Sequence, residues 1–177
     1  MYFFIDTEFT DFKQCELISL GIVSENGEHE FYVEINDYDR SLSSDFVNQT
    51  VVPLLDNEKF GMSYYDAATA LQAWIDEISD DSFIVVVDYT GDWQLMSELM
   101  RVSFPHKKVY ARMLQQALLG ALHERGFHMP TQHSKAFSGL FKGIADYYNI
   151  DRRQHHALVD AKANRHGWLE AFKYAEQ

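Results

Sequence analysis

Two apolar runs in this chain lead directly into carboxylates, and this pattern limits the folds that the chain can adopt. The first run is Tyr2–Ile5, which leads into Asp6 and Glu8. The second is Phe83–Val87, a β-branched run of the kind that is buried on both faces of a sheet, and it leads into Asp88. Ligand sites in open α/β sheets lie beyond the carboxyl ends of such strands. Both runs therefore predict a sheet with a polar site at one edge.

The remaining pattern predicts an α/β domain. Strands are predicted at Glu16–Val23 and Glu28–Ile35, which form a hairpin around the turn at 25–27, and a short fifth strand is predicted at Val109–Tyr110. Apolar residues at helical spacing predict helices at Asp66–Ile78, Asp92–Val102, Met113–Arg125, Lys135–Tyr148 and Leu158–Ala175. We therefore expect one domain over residues 1–177, with a mixed five-stranded sheet flanked by helices.

Composition and charge limit the environment and the partners of the chain. It has no signal-peptide pattern, no apolar run of about eighteen residues and only one cysteine, Cys15, so we expect a soluble cytoplasmic protein without a membrane segment or disulfide framework. The net charge of −12 is unevenly distributed. Residues 1–100 contain 3 Lys and Arg against 21 Asp and Glu, whereas residues 101–177 contain 12 against 6. A cation-binding half and a phosphate-facing half would explain this asymmetry, and so would ordinary solvated surface.

The carboxylates after the first strand indicate a metal site. Asp6 and Glu8 are two positions apart, so their side chains point to the same side of the strand. Two neighbouring carboxylates repel each other unless a cation lies between them, and oxygen ligands of this kind suit Mg²⁺ or Mn²⁺. Ordinary surface acids on a loop would show the same short pattern as Asp6 and Glu8. Asp92, which follows the second apolar run, has an alternative of its own, because it fits a helix N-cap equally well.

A histidine and a carboxylate stand at the start of the last predicted helix. His155 precedes Asp160 by five residues, and His156 precedes it by four. A histidine near a carboxylate is typical of general-base catalysis beside a metal, although isolated pairs of this kind also occur on helix surfaces. The amphipathic pattern begins only at Ala157, so we expect the helix to start after both histidines. Helical spacing then gives no basis for choosing between them.

In this order, the three signals resemble the DEDDh family of 3′–5′ exonucleases: Asp-x-Glu after the first strand, Asp after a middle strand, and His-x₄-Asp at the last helix. The resemblance extends from Phe4 to about Trp168, and the short length and the DTEFT opening are most similar to small bacterial exoribonuclease-like proteins. It implies a ribonuclease H-like fold and two Mg²⁺ ions, which Mn²⁺ can replace. By position it implies four metal ligands, Asp6, Glu8, Asp92 and Asp160, and a general base, His155.

One departure from the family pattern concerns the second motif. Many members have Asn four residues before the motif's Asp, and here that residue is Asp88. Asp88 and Asp92 are therefore alternative ligands, and we favour Asp92 because it opens the following predicted helix.

Further residues are candidates for substrate contact. The family places the residues around and after Asp-x-Glu against the terminal nucleotide, which implies contacts from Thr7, Phe9 and Thr10, although Phe9 fits a core position equally well. His133 and Ser134, in a predicted loop at 126–134, are candidates for contact with the substrate backbone. Basic residues near the third motif are candidates for phosphate contact or are ordinary surface, namely Lys135, Arg152, Arg153 and Lys162.

The resemblance implies hydrolysis of single-stranded RNA, or of a 3′ overhang, from the 3′ end with release of 5′-nucleoside monophosphates. Two alternatives remain: a 3′–5′ exodeoxyribonuclease, because the metal chemistry ignores the 2′-hydroxyl, and a catalytically silent nucleic-acid-binding module. An aspartate-nucleophile phosphatase fits less well, because Glu8 replaces the second Asp of its opening motif and no Asp lies four residues after Asp92. Relatives are often dimers, so a homodimer is expected from the resemblance alone.

Overall fold

A mixed six-stranded sheet organises the chain, of which the computed structural model describes residues 1–78, 82–101 and 108–177. The strands are β1 (Tyr2–Phe9), β2 (Leu17–Ser24), β3 (Glu30–Ile35), β4 (Gly61–Met62), β5 (Ser82–Val87) and β6 (Lys108–Met113). They lie in the order β4-β3-β2-β1-β5-β6. β1, β2 and β3 form an antiparallel meander, whereas β5 is parallel to β1 and to β6, and β4 is parallel to β3.

Helices cover both faces of this sheet. Within the described ranges they are α1 (Asp45–Thr50), α2 (Asn57–Phe60), α3 (Tyr64–Ile78), α4 (Thr90–Arg101), α5 (Leu114–Glu124), α6 (Pro130–Ile150) and α7 (Ala157–Ala175). Short 3₁₀ turns at Arg40–Leu42 and Val52–Leu54 flank α1. Among the described helices, none combines the length and the apolar character that a membrane crossing requires.

The two helical layers bury opposite faces of β1. Phe3 and Ile5 pack with residues of α3 and α4, whereas Phe4 packs with residues of α5, α6 and α7. Because side chains alternate along a strand, Asp6 and Glu8 continue the face of Phe4 towards α7. The carboxylates thus follow directly on the most deeply buried part of the strand.

Two glycines allow α7 to approach its neighbours closely. A Cβ atom at Gly21, in β2, would lie 2.3 Å from the backbone nitrogen of Leu158, and one at Gly167 would lie 2.5 Å from the carbonyl oxygen of Leu140 in α6. Gly21 pairs with Asp6 in the register of β1 and β2. The close approach at Gly21 therefore brings the first turn of α7, which contains Asp160, over the strand that carries Asp6.

The predicted fold class is confirmed, and most of the predicted elements form with small shifts at their ends. The sheet has six strands, whereas five were predicted. The sequence did not reveal β4, because this strand has only two residues and no alternating pattern. The predicted loop at 126–134 is wrong in its second half, because α6 begins at Pro130. Proline is favoured in the first turn of a helix, so this signal was present in the sequence. Val102, the predicted end of α4, lies outside the described residues.

We expect Gly21→Ala to destabilise the protein, because its methyl group would overlap backbone atoms of α7 that cannot rotate away. Overpacking of this kind should lower the free energy of unfolding by about 3 kcal/mol, measured by urea denaturation. Gly120→Ala is the matched control: the nearest atom to its Cβ would be 3.8 Å away, and alanine favours the helix by about 1 kcal/mol. Equal stabilities of the two variants would contradict the inferred close contact.

Candidate active site

The residues predicted for the metal site converge at the carboxyl ends of β1 and β5. They line a cavity of about 510 Å³ together with aromatic side chains and residues of the α1 segment. Its polar lining includes Asp6, Glu8, Asp88, Asp92, His155 and Asp160. Segments that are distant in the sequence therefore form one site.

These polar side chains fall into two groups, each with the spacing that a metal ion requires. The ligand atoms of Asp6, Asp88 and Asp92 all lie within 4.8 Å of one another. Glu8, His155 and Asp160 form a second group by the same measure. The geometry therefore offers two neighbouring positions for hard divalent cations, with carboxylate oxygens as the main ligands.

Asp92 is fixed by contacts with β1. Its Oδ1 atom accepts hydrogen bonds from the backbone N–H of Thr7, at 3.3 Å, and from the Thr7 hydroxyl, at 2.7 Å. Its Oδ2 atom is buried and has no hydrogen-bond partner among the described residues. Since α4 already begins at Thr90, Asp92 lies inside the first turn and is not the N-cap that the sequence also allowed.

Asp160 and His155 are linked through the backbone. The N–H of His155 donates a hydrogen bond to Asp160 Oδ2 at 3.0 Å, while Asp160 Oδ1 is buried and finds no partner within the described chain. His155 has a φ angle of 70°, in the left-handed region that non-glycine residues rarely adopt. The loop before α7 is therefore held in a specific conformation that places the His155 ring at the cavity.

His156 faces away from the cavity. α7 begins at Ala157 with His156 as its N-cap, which confirms that the helix starts after both histidines. The His156 ring is buried and stacks on Tyr32 with 4.5 Å between ring centroids, and the Tyr32 hydroxyl donates a hydrogen bond to Glu34 at 2.9 Å. His156 thus packs on β3, whereas His155 lines the site.

Burial and mutual repulsion make the carboxylates of the site weak acids. Burial, followed by the charges of Asp160 and Asp92, raises the pKa of Glu8 to about 8. Burial likewise raises the pKa of Asp92 to about 7, against the hydrogen bonds from Thr7, and that of Asp160 to about 6. The pKa of Asp6 is raised well above its usual range by burial and then by the charge of Asp92. Without a cation, the site therefore retains protons near neutral pH.

Exposed aromatic side chains form one wall of the cavity. Phe9 contacts Phe12 and Tyr89, with ring centroids at 5.2 and 6.2 Å, and Phe46 lies edge-on to His155 at 5.0 Å. Phe12 is 78% exposed, which is unusual for a phenylalanine in a folded domain. Sequence reasoning identified Phe9 alone. The available signal for Phe12 and Phe46 was their position in otherwise polar stretches.

The side chains of Thr7 and Thr10, two residues predicted to contact the substrate, form hydrogen bonds within the protein. Thr10 is fully buried, and its hydroxyl donates to the Gln14 carbonyl and accepts from the Glu16 N–H, so no hydrogen-bonding capacity faces the cavity. Thr7 lines the cavity, but its hydroxyl is bonded to Asp92. Hydrogen bonds within the same loop therefore satisfy the Thr10 side chain, and the substrate contacts of Thr7 and Thr10 stay predictions.

His133 and Ser134 lie far from the site. Both are in the first turns of α6, and the His133 ring is bonded to the Phe127 carbonyl at 2.9 Å. Tyr148, whose side chain interacts electrostatically with Asp160, is fifteen residues further along the same helix than His133, a separation of about 22 Å. The predicted contact of His133 and Ser134 with the substrate backbone stays a prediction, and it would involve a part of the substrate distant from the carboxylates.

The basic residues predicted to contact phosphate differ in whether their charge is already paired within the protein. Arg153 is paired with Asp151 at 2.6 Å, and Lys162 is paired with Glu30 at 2.8 Å. Arg152 is exposed in the loop that carries His155, and it has no ion pair among the described residues. Of the basic residues near this loop, Arg152 is thus the one whose charge is free for a ligand.

Comparisons with known proteins show the fold. No family model matches the chain, and no curated protein matches it. The crystal structure of cell-death related nuclease 4 is similar, with a TM-score of 0.58 and 18% sequence identity, over 96% of this chain and 62% of that chain. The chain thus spans less than two thirds of that protein. At this identity the likeness concerns the fold alone, and it confirms the predicted ribonuclease H-like α/β fold.

We expect the metal-free protein to lose stability as the pH rises from about 5 to about 8, because folded carboxylates with raised pKa values bind more protons than the unfolded chain. Their favourable contribution is complete below about pH 4 and is lost as they ionise in the crowded site. The melting temperature in EDTA should fall by about 5 °C or more across this range, and Mn²⁺ should reverse the fall.

Asp6→Asn serves as the control for this measurement, because it removes one charge from the cluster and should flatten the pH dependence. A metal-free melting temperature that stays constant or rises between about pH 5 and about pH 8 would contradict the proposed repulsion.

Proposed function

We propose that this protein is a metal-dependent 3′–5′ exonuclease of the DEDDh type that acts on single-stranded RNA. The observation that carries the proposal is the convergence of Asp6, Glu8, Asp92, His155 and Asp160, in the order that the family motifs require, on one cavity. The fold shared with a nuclease supports the same function. Cytoplasmic location, a homodimer and the likeness to small bacterial exoribonuclease-like proteins remain predictions.

The residues fit a pair of divalent cations. Asp92 Oδ2 and Asp160 Oδ1 are buried without partners in the described chain, and each belongs to a different one of the two ligand groups. Burial and the charges of neighbouring carboxylates raise the pKa values of Asp6 and Glu8, and a bound cation would offset both effects. Bound Mg²⁺ or Mn²⁺ would activate a water molecule and stabilise the negative charge that develops on the leaving oxygen.

His155 is the proposed general base. Its ring lines the cavity beside Glu8 and Asp160, and its backbone N–H is held by Asp160. A ring nitrogen in this position can accept a proton from a water molecule in the cavity. The edge-on contact with Phe46 at 5.0 Å restricts the orientation of the ring.

The aromatic wall supports a single-stranded substrate. Bases stack on aromatic side chains with little dependence on sequence, at about 1–3 kcal/mol for each base. Phe12, Phe46 and Tyr89 are exposed around the cavity and are available for this contact. A base must leave its duplex partner to stack in such a cavity, so unpaired 3′ ends are favoured. The preference for RNA over DNA rests on the family resemblance.

We expect the purified protein with Mn²⁺ to shorten a 5′-labelled RNA stepwise from the 3′ end, and to shorten DNA of the same sequence more slowly. Asp6→Ala, Glu8→Ala, Asp92→Ala and Asp160→Ala should each reduce the rate below detection, because each removes a proposed ligand. Glu58→Ala, which removes an exposed carboxylate outside the cavity, is the matched control. Gel electrophoresis of the products measures both the rate and the direction.

The same assay separates the alternatives. Equal rates on RNA and DNA would remove the RNA preference, and faster hydrolysis of DNA would indicate the exodeoxyribonuclease. Binding of single strands without hydrolysis in either metal would indicate a silent binding module. Cleavage within the strand, or hydrolysis that persists in EDTA, would contradict the proposed mechanism.

We expect His155→Ala to affect mainly the reaction rate and His156→Ala to affect mainly the stability of the protein. His155→Ala should lower the rate by roughly 10²–10⁴-fold, the range for a lost general base, with little change in stability. His156→Ala removes a buried ring that stacks on Tyr32, so it should lower the free energy of unfolding and affect the rate far less. Rates are compared at a temperature where both variants are folded, with saturating metal. A larger rate loss in His156→Ala would reverse the assignment.

A further inference from the structure

Asp88 follows β5 at the position where β1 presents Asp6. The parallel register pairs Phe4 with Val86, and Asp6 and Asp88 each lie two residues further along their strands. Residues two apart on a strand share a face, so the two carboxylates are neighbours on the face that carries the site. The sequence left open whether Asp88 or Asp92 serves the site, and the structure places both there.

The ligand atoms of Asp6, Asp88 and Asp92 lie within 4.8 Å of one another. An acidic cluster alone does not require a cation, but Asp92 adds an independent observation. Asp92 lines the cavity and is only 2% exposed, and its buried Oδ2 atom has no hydrogen-bond partner among the described residues. A buried carboxylate oxygen in this condition is unfavourable in its charged form unless a cation or a proton accompanies it.

Asp88 has no protein partner that would explain its position. Its carboxylate accepts no hydrogen bond and forms no ion pair with the described residues, and the side chain is exposed at the mouth of the cavity. Its negative charge adds to the repulsion on Asp6, Asp92 and Asp160. In the metal-free protein, Asp88 is therefore a source of repulsion.

We propose that Asp88 is a direct ligand of the divalent cation that Asp6 and Asp92 hold, so that five carboxylates and not four serve the metal site. This inference rests on the metal site of the proposed function. Three carboxylates around one position favour a hard cation such as Mg²⁺ or Mn²⁺ and slow its loss from the cavity. The cavity mouth at Asp88 thus forms the outer side of one metal position, and Asp92 forms its buried side.

Asp88→Asn tests this role, because asparagine has nearly the same shape and no charge. Titration calorimetry with Mn²⁺ should show one binding event weakened about tenfold or more. In EDTA at about pH 8, the variant should melt at a higher temperature than the wild type, because one repelling charge is gone. With saturating Mn²⁺ the difference should shrink or change sign, because the uncharged amide oxygen of asparagine is a weaker ligand than a carboxylate.

Asp11→Asn is the matched control. Asp11 lines the same cavity, but its carboxylate accepts a hydrogen bond from the Lys13 N–H at 2.7 Å and belongs to neither ligand group. It should leave Mn²⁺ binding unchanged. A purely electrostatic effect of cavity charge would weaken binding equally in both variants and would overturn the assignment of Asp88 as a ligand.

These measurements test the ligand role of Asp88 separately from the proposed nuclease function. Weaker Mn²⁺ binding in Asp88→Asn supports the ligand role even if the wild type hydrolyses no nucleic acid, in which case only the proposed function fails. Wild-type Mn²⁺ affinity in Asp88→Asn overturns the ligand role and leaves the proposed function intact. A wild-type protein that binds no Mn²⁺ overturns both.

Discussion

Repulsion among carboxylates at one edge of the sheet is the constraint on which this site depends. Asp6 and Glu8 are fixed by a strand whose preceding residues are fully buried, so they cannot move apart to relieve it. Burial and this repulsion together raise the pKa values of the carboxylates, to about 8 for Glu8. Protons relieve it in part near neutral pH, and cations relieve it where the carboxylates are ionised. The same geometry that destabilises the metal-free protein therefore provides the driving force for binding metal.

Different contacts position Asp92 and Asp160, and these contacts connect distant parts of the chain. Thr7 binds Asp92 across 85 positions of sequence, and Gly21 allows α7 to carry Asp160 close to Asp6. A cation between these groups would link β1, α4 and α7 directly. Metal binding should therefore stabilise the packing of all three elements and not of a single loop. A measurement of protein stability then detects metal binding as directly as a measurement of activity does.

The sequence predicted those parts of the site that depend on local pattern. Alternation in β1 showed that Asp6 and Glu8 share a face, and the late start of the apolar pattern showed that α7 begins after His155. It did not predict contacts that depend on tertiary packing. The hydrogen bond of Thr10 within its loop was not foreseen, and the aromatic wall was missed because Phe46 meets His155 only in the fold.

The adjacent histidines show how tertiary packing distinguishes two residues that sequence spacing treats alike. His156 is anchored on Tyr32, and this anchor fixes the backbone next to His155. His155 adopts a φ angle of 70°, a conformation that costs on the order of 1 kcal/mol for a residue with a Cβ atom. The hydrogen bond from its N–H to Asp160 compensates for that cost and uses one oxygen of a proposed metal ligand. This hydrogen bond thus couples the backbone position of the proposed base to the orientation of the proposed ligand.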